Sequence, residues 1–96
     1  MGQTQMVRGR ATNVKREADG SLVVRYHSTD VVTARPDGSV ELRTGGWRTN
    51  TTRVRMLQAA HQFKLGYSIY QKAFNWFVEW KGQTLPFDGD MLILPA

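Results

Sequence analysis

Two Asp-Gly pairs, Asp19-Gly20 and Asp37-Gly38, each stand between short segments of alternating or β-branched residues, and nothing else in the chain constrains the fold as strongly. A tight reversal between antiparallel strands needs a residue that tolerates positive φ, and Asp-Gly supplies it. Strands are therefore predicted at about Met6–Glu17, Ser21–Tyr26, Thr29–Arg35 and Ser39–Arg43. Alternation puts Leu22, Val24 and Tyr26 on one face of the second strand, and Val40 and Leu42 inward on the fourth. The result is an antiparallel, one-sided sheet.

After Gly45-Gly46 the period changes. Met56, Ala59, Ala60 and Phe63 share one helical face while Arg55, Gln58 and Gln62 fall on the other, which predicts a helix at about Thr51–Lys64. Thr49, Asn50 and Thr51 are suited to capping its start, and Gly66 to ending it. Beyond it, Tyr67–Gln71 and Phe74–Trp80 read as a second hairpin. Lys81-Gly82 turns the chain toward Thr84–Phe87, and Asp88-Gly89 toward Met91–Leu94. The expected architecture is α+β, a twisted antiparallel sheet of five to seven strands packed on a single helix. Met56, Ala60, Phe63, Leu22, Val24, Val40, Trp76 and Val78 are its expected core.

A chain of 96 residues can close one core, so residues 1–96 are expected to form a single domain: a basic arm or edge strand over 1–17 and an α+β core over 18–96. The absence of cysteine excludes a disulfide framework and thiolate metal sites. Apolar runs are short and broken by charge, so neither a membrane span nor a signal peptide is expected, and a cytoplasmic location fits. The charge is uneven. Residues 1–55 hold ten Lys and Arg against five Asp and Glu, whereas residues 56–96 hold three of each, so the whole net charge of +5 lies in the first part. Such a balance favours an anionic partner.

The most unusual stretch is Arg43–Arg55, RTGGWRTNTTRVR, with four arginines and no acid. A helix start carries partial positive charge and favours Asp or Glu, so Arg53 and Arg55 there oppose the helix by about 0.3–1 kcal/mol each when exposed. A bound phosphate would resolve the conflict, taking the free amides, the hydroxyls of Thr49, Thr51 and Thr52, and the guanidinium groups of Arg43, Arg48, Arg53 and Arg55. Gly45 and Gly46 would let backbone approach closely, and Trp47 would offer a base-stacking surface. The plainer alternative is a strand-to-helix turn with capping threonines, a core tryptophan and solvated arginines. The arm adds Arg8, Arg10, Lys15 and Arg16, which can follow a phosphate backbone or simply protect an edge strand from aggregation.

Tyr67, Tyr70, Phe74, Trp76, Phe77 and Trp80 crowd one hairpin and read first as core, with an exposed subset marking a partner surface. Catalysis finds little support. His27 and Asp30 lack a nucleophile beside them, Asp88 and Asp90 read as turn chemistry before a metal site, and His61 reads as packing. No enzymatic activity and no cofactor are expected.

The run TGGWRTNTTRVRM, with WFVEWKGQTLPFDGDMLI after it, resembles a group of small bacteriophage-encoded accessory proteins carrying a GGW-x-T-x-TT-x-x-RM core and a terminal PF-x-DG segment. The matching residues are Gly45, Gly46, Trp47, Thr49, Thr51, Thr52, Arg55 and Met56, then Pro86, Phe87, Asp88 and Gly89, although Asp88 here follows Phe87 directly. The resemblance runs from about Tyr26 to Leu94 and leaves the basic arm from Met6 to Lys15 outside. It implies a viral accessory protein in a host cytoplasm and supplies no mechanism. The favoured function is non-enzymatic binding of a phosphate-bearing ligand, nucleic acid foremost. The alternatives are an anti-defence or host-takeover protein that inhibits a host protein by binding it, or a sponge for a signalling nucleotide. No membrane partner is expected, and a homo-oligomer remains open.

Overall fold

The computed structural model describes residues 12–46 and 48–96. Its elements run β1 (Thr12–Arg16), β2 (Leu22–Tyr26), β3 (Thr29–Ala34), β4 (Val40–Arg43), α1 (Asn50–Phe63), β5 (Tyr67–Lys72), β6 (Asn75–Trp80), β7 (Gln83–Pro86) and β8 (Met91–Leu94). The class is α+β, as the sequence implies. Among the described residues the strands number eight and divide between two antiparallel sheets, one of five in the order β1-β2-β3-β4-β8 and one of three in the order β5-β6-β7. The division arises because β8 leaves its neighbour in sequence and pairs with β4, matching Val40 with Leu94 and Arg43 with Met91.

Both Asp-Gly pairs form the same reversal. In the first, the Gly20 amide donates to the Glu17 carbonyl at 3.0 Å and the Glu17 amide to the Ser21 carbonyl at 2.7 Å. In the second, the Gly38 amide donates to Arg35 at 3.0 Å and the Arg35 amide to Ser39 at 2.9 Å. The aspartate closes each loop by accepting from the serine amide after the glycine, at 2.8 Å in both. Gly20 and Gly38 sit at φ +96° and +94°, a region closed to most side chains. The sequence signal is thus read directly by the backbone.

Val24, Val32 and Leu42 lie in register across β2, β3 and β4 and are fully buried. The one-sided expectation needs amendment, because Val23, on the opposite face between Lys15 and Thr33, is also buried. A register shift after Val24 leaves Val31 unpaired, and it too is buried.

Helix α1 begins at Thr49, whose hydroxyl accepts from the Thr52 amide at 3.2 Å. It ends at Lys64, which takes the left-handed conformation and donates its amide to Ala60. The stop is therefore Lys64, two residues before the glycine expected to provide it. The helix packs against β2 and β3 of one sheet and β5 of the other, burying Thr52, Met56, Ala59 and Ala60. Phe63 is half-buried at the edge of this core, whereas the other expected core residues are fully buried. His61 is exposed, so the packing role read for it does not hold.

The aromatic hairpin splits. Tyr67 and Trp76 are buried; Tyr70, Phe77 and Trp80 are half-buried; Phe74 is 91% exposed. Phe74 lies in the turn rather than in the strand predicted for it, because Lys72 pairs with Asn75 and leaves Ala73 and Phe74 as the reversal. Tyr67 joins the helix to the second sheet by donating its hydroxyl to the Met56 carbonyl at 2.6 Å, and burial raises its phenol pKa. Tyr67→Phe is expected to lower stability by about 1 kcal/mol, seen as a reduced midpoint in urea unfolding with an unchanged slope.

Candidate functional site

The strand pairing of β4 with β8 brings the turn Thr44–Gly46 against the loop that precedes β8. Thr44 donates its amide to the Asp90 carbonyl at 2.8 Å and its hydroxyl to Asp90 Oδ1 at 2.7 Å. The Gly46 amide reaches the same oxygen at 3.0 Å. Gly45 and Gly46 both have positive φ, and a Cβ on Gly45 would collide with the Thr29 side chain. The two glycines thus permit the close approach the sequence anticipates, and the anion their turn receives is the protein's own carboxylate.

Arg48 makes the second half of this clamp. Its guanidinium donates to the Phe87 carbonyl at 2.7 Å and to the Gly89 carbonyl at 3.0 Å, with its Cζ 4.6 Å from the centre of the buried Trp76 ring. Arg55 ties the helix to β1, donating to Thr12 Oγ1 at 2.8 Å and to Gln58 Oε1 at 3.2 Å, and lies 5.8 Å from the Tyr26 ring. Arg53 donates to Asn50 Oδ1, while its Nε is buried with no hydrogen-bond partner among the described residues. A buried donor left unsatisfied is uncommon enough to need an explanation.

Arg43 points away from this corner. It donates to Glu41 Oε2 at 2.7 Å while Arg35 takes Oε1, and both guanidinium groups depress the Glu41 pKa. These residues, with Asp30 and Asp90, line a polar depression of about 520 Å³ on the outer face of the five-stranded sheet. Of the arm, Lys15 pairs with Glu17 at 3.2 Å and Arg16 donates to the Gly20 carbonyl at 3.3 Å. Arg8, Arg10 and Trp47 lie outside the described residues.

What sequence reading missed is a cleft of about 390 Å³ between the β2–β3 turn and the helix start, lined by Tyr26, His27, Ser28, Thr49 and Thr51. The Tyr26 and His27 rings meet at 4.4 Å, with His27 at φ +56°. His27 and Asp30, three residues apart in sequence, go separate ways, since Asp30 pairs with Arg25 at 2.8 Å. The signal for the cleft was the turn at His27-Ser28, which has no glycine to announce it. Among the described residues no three His, Asp or Glu side chains are placed to hold a metal ion, Asp88 and Asp90 included.

The family model described as Kyanoviridae Gp96 protein matches residues 2–93. The chain belongs to this family of phage proteins. The match takes in the basic arm, so Met6–Lys15 is family sequence rather than an addition to it. No curated protein and no solved structure matches the chain. No helix among the described residues is long and apolar enough to cross a membrane.

The Thr44 hydroxyl, with the Gly46 and Gly45 amides behind it, favours the ionised form of Asp90 and holds its pKa below the ordinary 3.8. A carboxylate depressed on folding contributes stability above its unfolded pKa and loses it as pH falls through the folded value. Asp90→Asn is therefore expected to lower the melting temperature at neutral pH, with the difference from wild type shrinking as pH drops below 3.8. Thermal circular dichroism across that range reads it; identical melting at neutral pH would contradict the clamp.

Proposed function

We propose that this phage protein binds a phosphate-bearing ligand without turning it over, that the ligand is a nucleic acid, and that the helix start carries the contact. The observation behind this reading is where the acids go. Glu17 is held by Lys15, Asp30 by Arg25, and Glu41 by Arg35 and Arg43. Asp19 and Asp37 close the two hairpin turns, Glu79 accepts from Tyr70 and Thr84, and Asp90 holds Thr44 and Gly46. That accounts for seven of the chain's eight acidic residues and leaves the exposed Asp88.

Arg48, Arg53 and Arg55 meanwhile bond to carbonyl, amide and hydroxyl oxygens. Neutral acceptors satisfy the donors without cancelling the charge, so three guanidinium groups stand at the positive end of a helix whose first turn has no acid. The arm adds Arg8 and Arg10 to the basic character of the same half of the chain. A polyanion is the partner such a field attracts. The cleft beside Thr49 and Thr51 favours a narrower alternative, a single nucleotide with its phosphate at the helix start and its base against Tyr26.

Arg48 and Arg55 hold the fold together, which makes Arg53 the cleaner probe. Arg53→Gln is expected to weaken binding of a labelled oligonucleotide and to reduce the slope of log affinity against log salt by about one. Fluorescence anisotropy over a salt series measures both. A nucleotide site would give a shallow salt dependence instead, and an unaltered slope in the variant would remove the helix start from the interface.

A further inference from the structure

Among the described residues, the turn between β5 and β6 is where two consecutive non-glycine residues take positive φ. Ala73 and Phe74 occupy its two central positions at φ +51° and +69°, where glycine or asparagine is favoured and a bulky side chain is strained. Phe74 gains nothing in return from the fold, since it is 91% exposed. A strained residue that also buries no surface breaks a local rule with no compensation inside the chain.

Its surroundings are ordered. The register places Lys72 opposite Asn75 directly behind the turn, and Tyr70 opposite Phe77 one step further along the same face. Tyr70 and Phe77 stack at 5.5 Å with their planes 27° apart, half-buried on the side of the sheet opposite Trp76 and Val78. From the tip inward the hairpin therefore reads exposed aromatic ring, cation with amide, aromatic pair, the last two being rungs of one face about 7 Å apart. Glu79, the carboxylate on this face, has its backbone a further rung away, and its Oε2 accepts from the Thr84 hydroxyl at 2.7 Å and from the Tyr70 hydroxyl at 3.4 Å.

Resting on the nucleic-acid reading above, we propose that the ligand is single-stranded and that the Phe74 hairpin holds its bases, with Phe74 and the Tyr70–Phe77 pair as stacking platforms and Lys72 between them for a phosphate. Unpaired bases offer π-faces that a duplex keeps stacked, and aromatic rings separated by a cation suit them. A protein partner would favour a contiguous apolar patch with lysine excluded from its centre, and here lysine is at the centre.

The test is fluorescence anisotropy of the full chain with a labelled oligothymidylate of about 15 nucleotides and with a duplex of the same length. Phe74→Gly removes the ring and relieves the strain, so it is expected to melt no lower than wild type while losing roughly 5- to 100-fold in single-strand affinity. Its salt slope should stay that of wild type, and Phe74→Trp should restore binding. Wild-type affinity in Phe74→Gly, or equal affinity of wild type for duplex and single strand, overturns the single-strand assignment while leaving the helix-start reading intact. Binding of neither oligonucleotide at low salt overturns both. A host protein retained after nuclease treatment and lost in Phe74→Gly would replace the nucleic-acid partner at this hairpin by a protein.

Discussion

The clamp between the β4–α1 turn and the loop before β8 fixes the relation of everything else. Asp90 receives Thr44 and Gly46 on one side, and Arg48 grips the Phe87 and Gly89 carbonyls on the other. These segments contain, or directly follow, the motifs that carry the phage-protein resemblance, GGW-x-T-x-TT-x-x-RM and PF-x-DG. They lie some 40 residues apart in the sequence and hold each other in the fold, as the Arg48–Phe87 separation of 39 records. The clamp closes the five-stranded sheet through β8, sets where α1 begins, and seats the Arg48 guanidinium against Trp76 in the three-stranded sheet. Chain reversal, helix start and contact between sheets thus depend on one small set of polar bonds around Asp90 and Arg48.

The same clamp shapes the electrostatics. By consuming Asp90 on backbone amides and a hydroxyl, it keeps a carboxylate from pairing with the arginines that follow. Ion pairs on the outer face of the five-stranded sheet take Asp30 and Glu41. The net charge of +5 is therefore not diluted evenly over the surface but survives where arginines meet neutral acceptors. Surface ion pairs of this kind contribute little to stability. Their larger effect here is on where positive charge remains: among the described residues Arg48, Arg53 and Arg55 keep theirs at the helix start, as Arg16, Lys64, Lys72 and Lys81 do elsewhere.

Most local structure was legible because it rests on local chemistry. Asp19-Gly20, Asp37-Gly38 and Lys81-Gly82 mark turns, and the spacing of Met56, Ala59 and Ala60 marks the buried face of α1. The division into two sheets was not legible, since it is decided by β8 choosing β4 over the adjacent β7, a pairing with no trace in either strand alone. The corner was half legible. Gly45-Gly46 announced a turn that receives an anion, but the anion is Asp90, 44 residues on in the chain. For Arg55 the sequence offers a bound phosphate or solvent, yet the side chain reaches Thr12 and Gln58, uncharged residues that no charge-matching argument selects. Phe74 was assigned to a strand by alternation, because Ala73-Phe74 carries none of the residues that ordinarily signal a reversal.

Anion binding at the helix start, as proposed above, would be read most directly by amide chemical shifts. In a titration of ¹⁵N-labelled protein with an oligonucleotide, the amides from Asn50 to Arg53 are expected to shift in a saturable manner, and added salt to reverse the shift. The neutral hydrogen bonds of the clamp, reported by the Thr44 and Gly46 amides, should stay where they are. Saturable binding that leaves Asn50–Arg53 unmoved would contradict the account and place the charge-bearing contact elsewhere on the molecule.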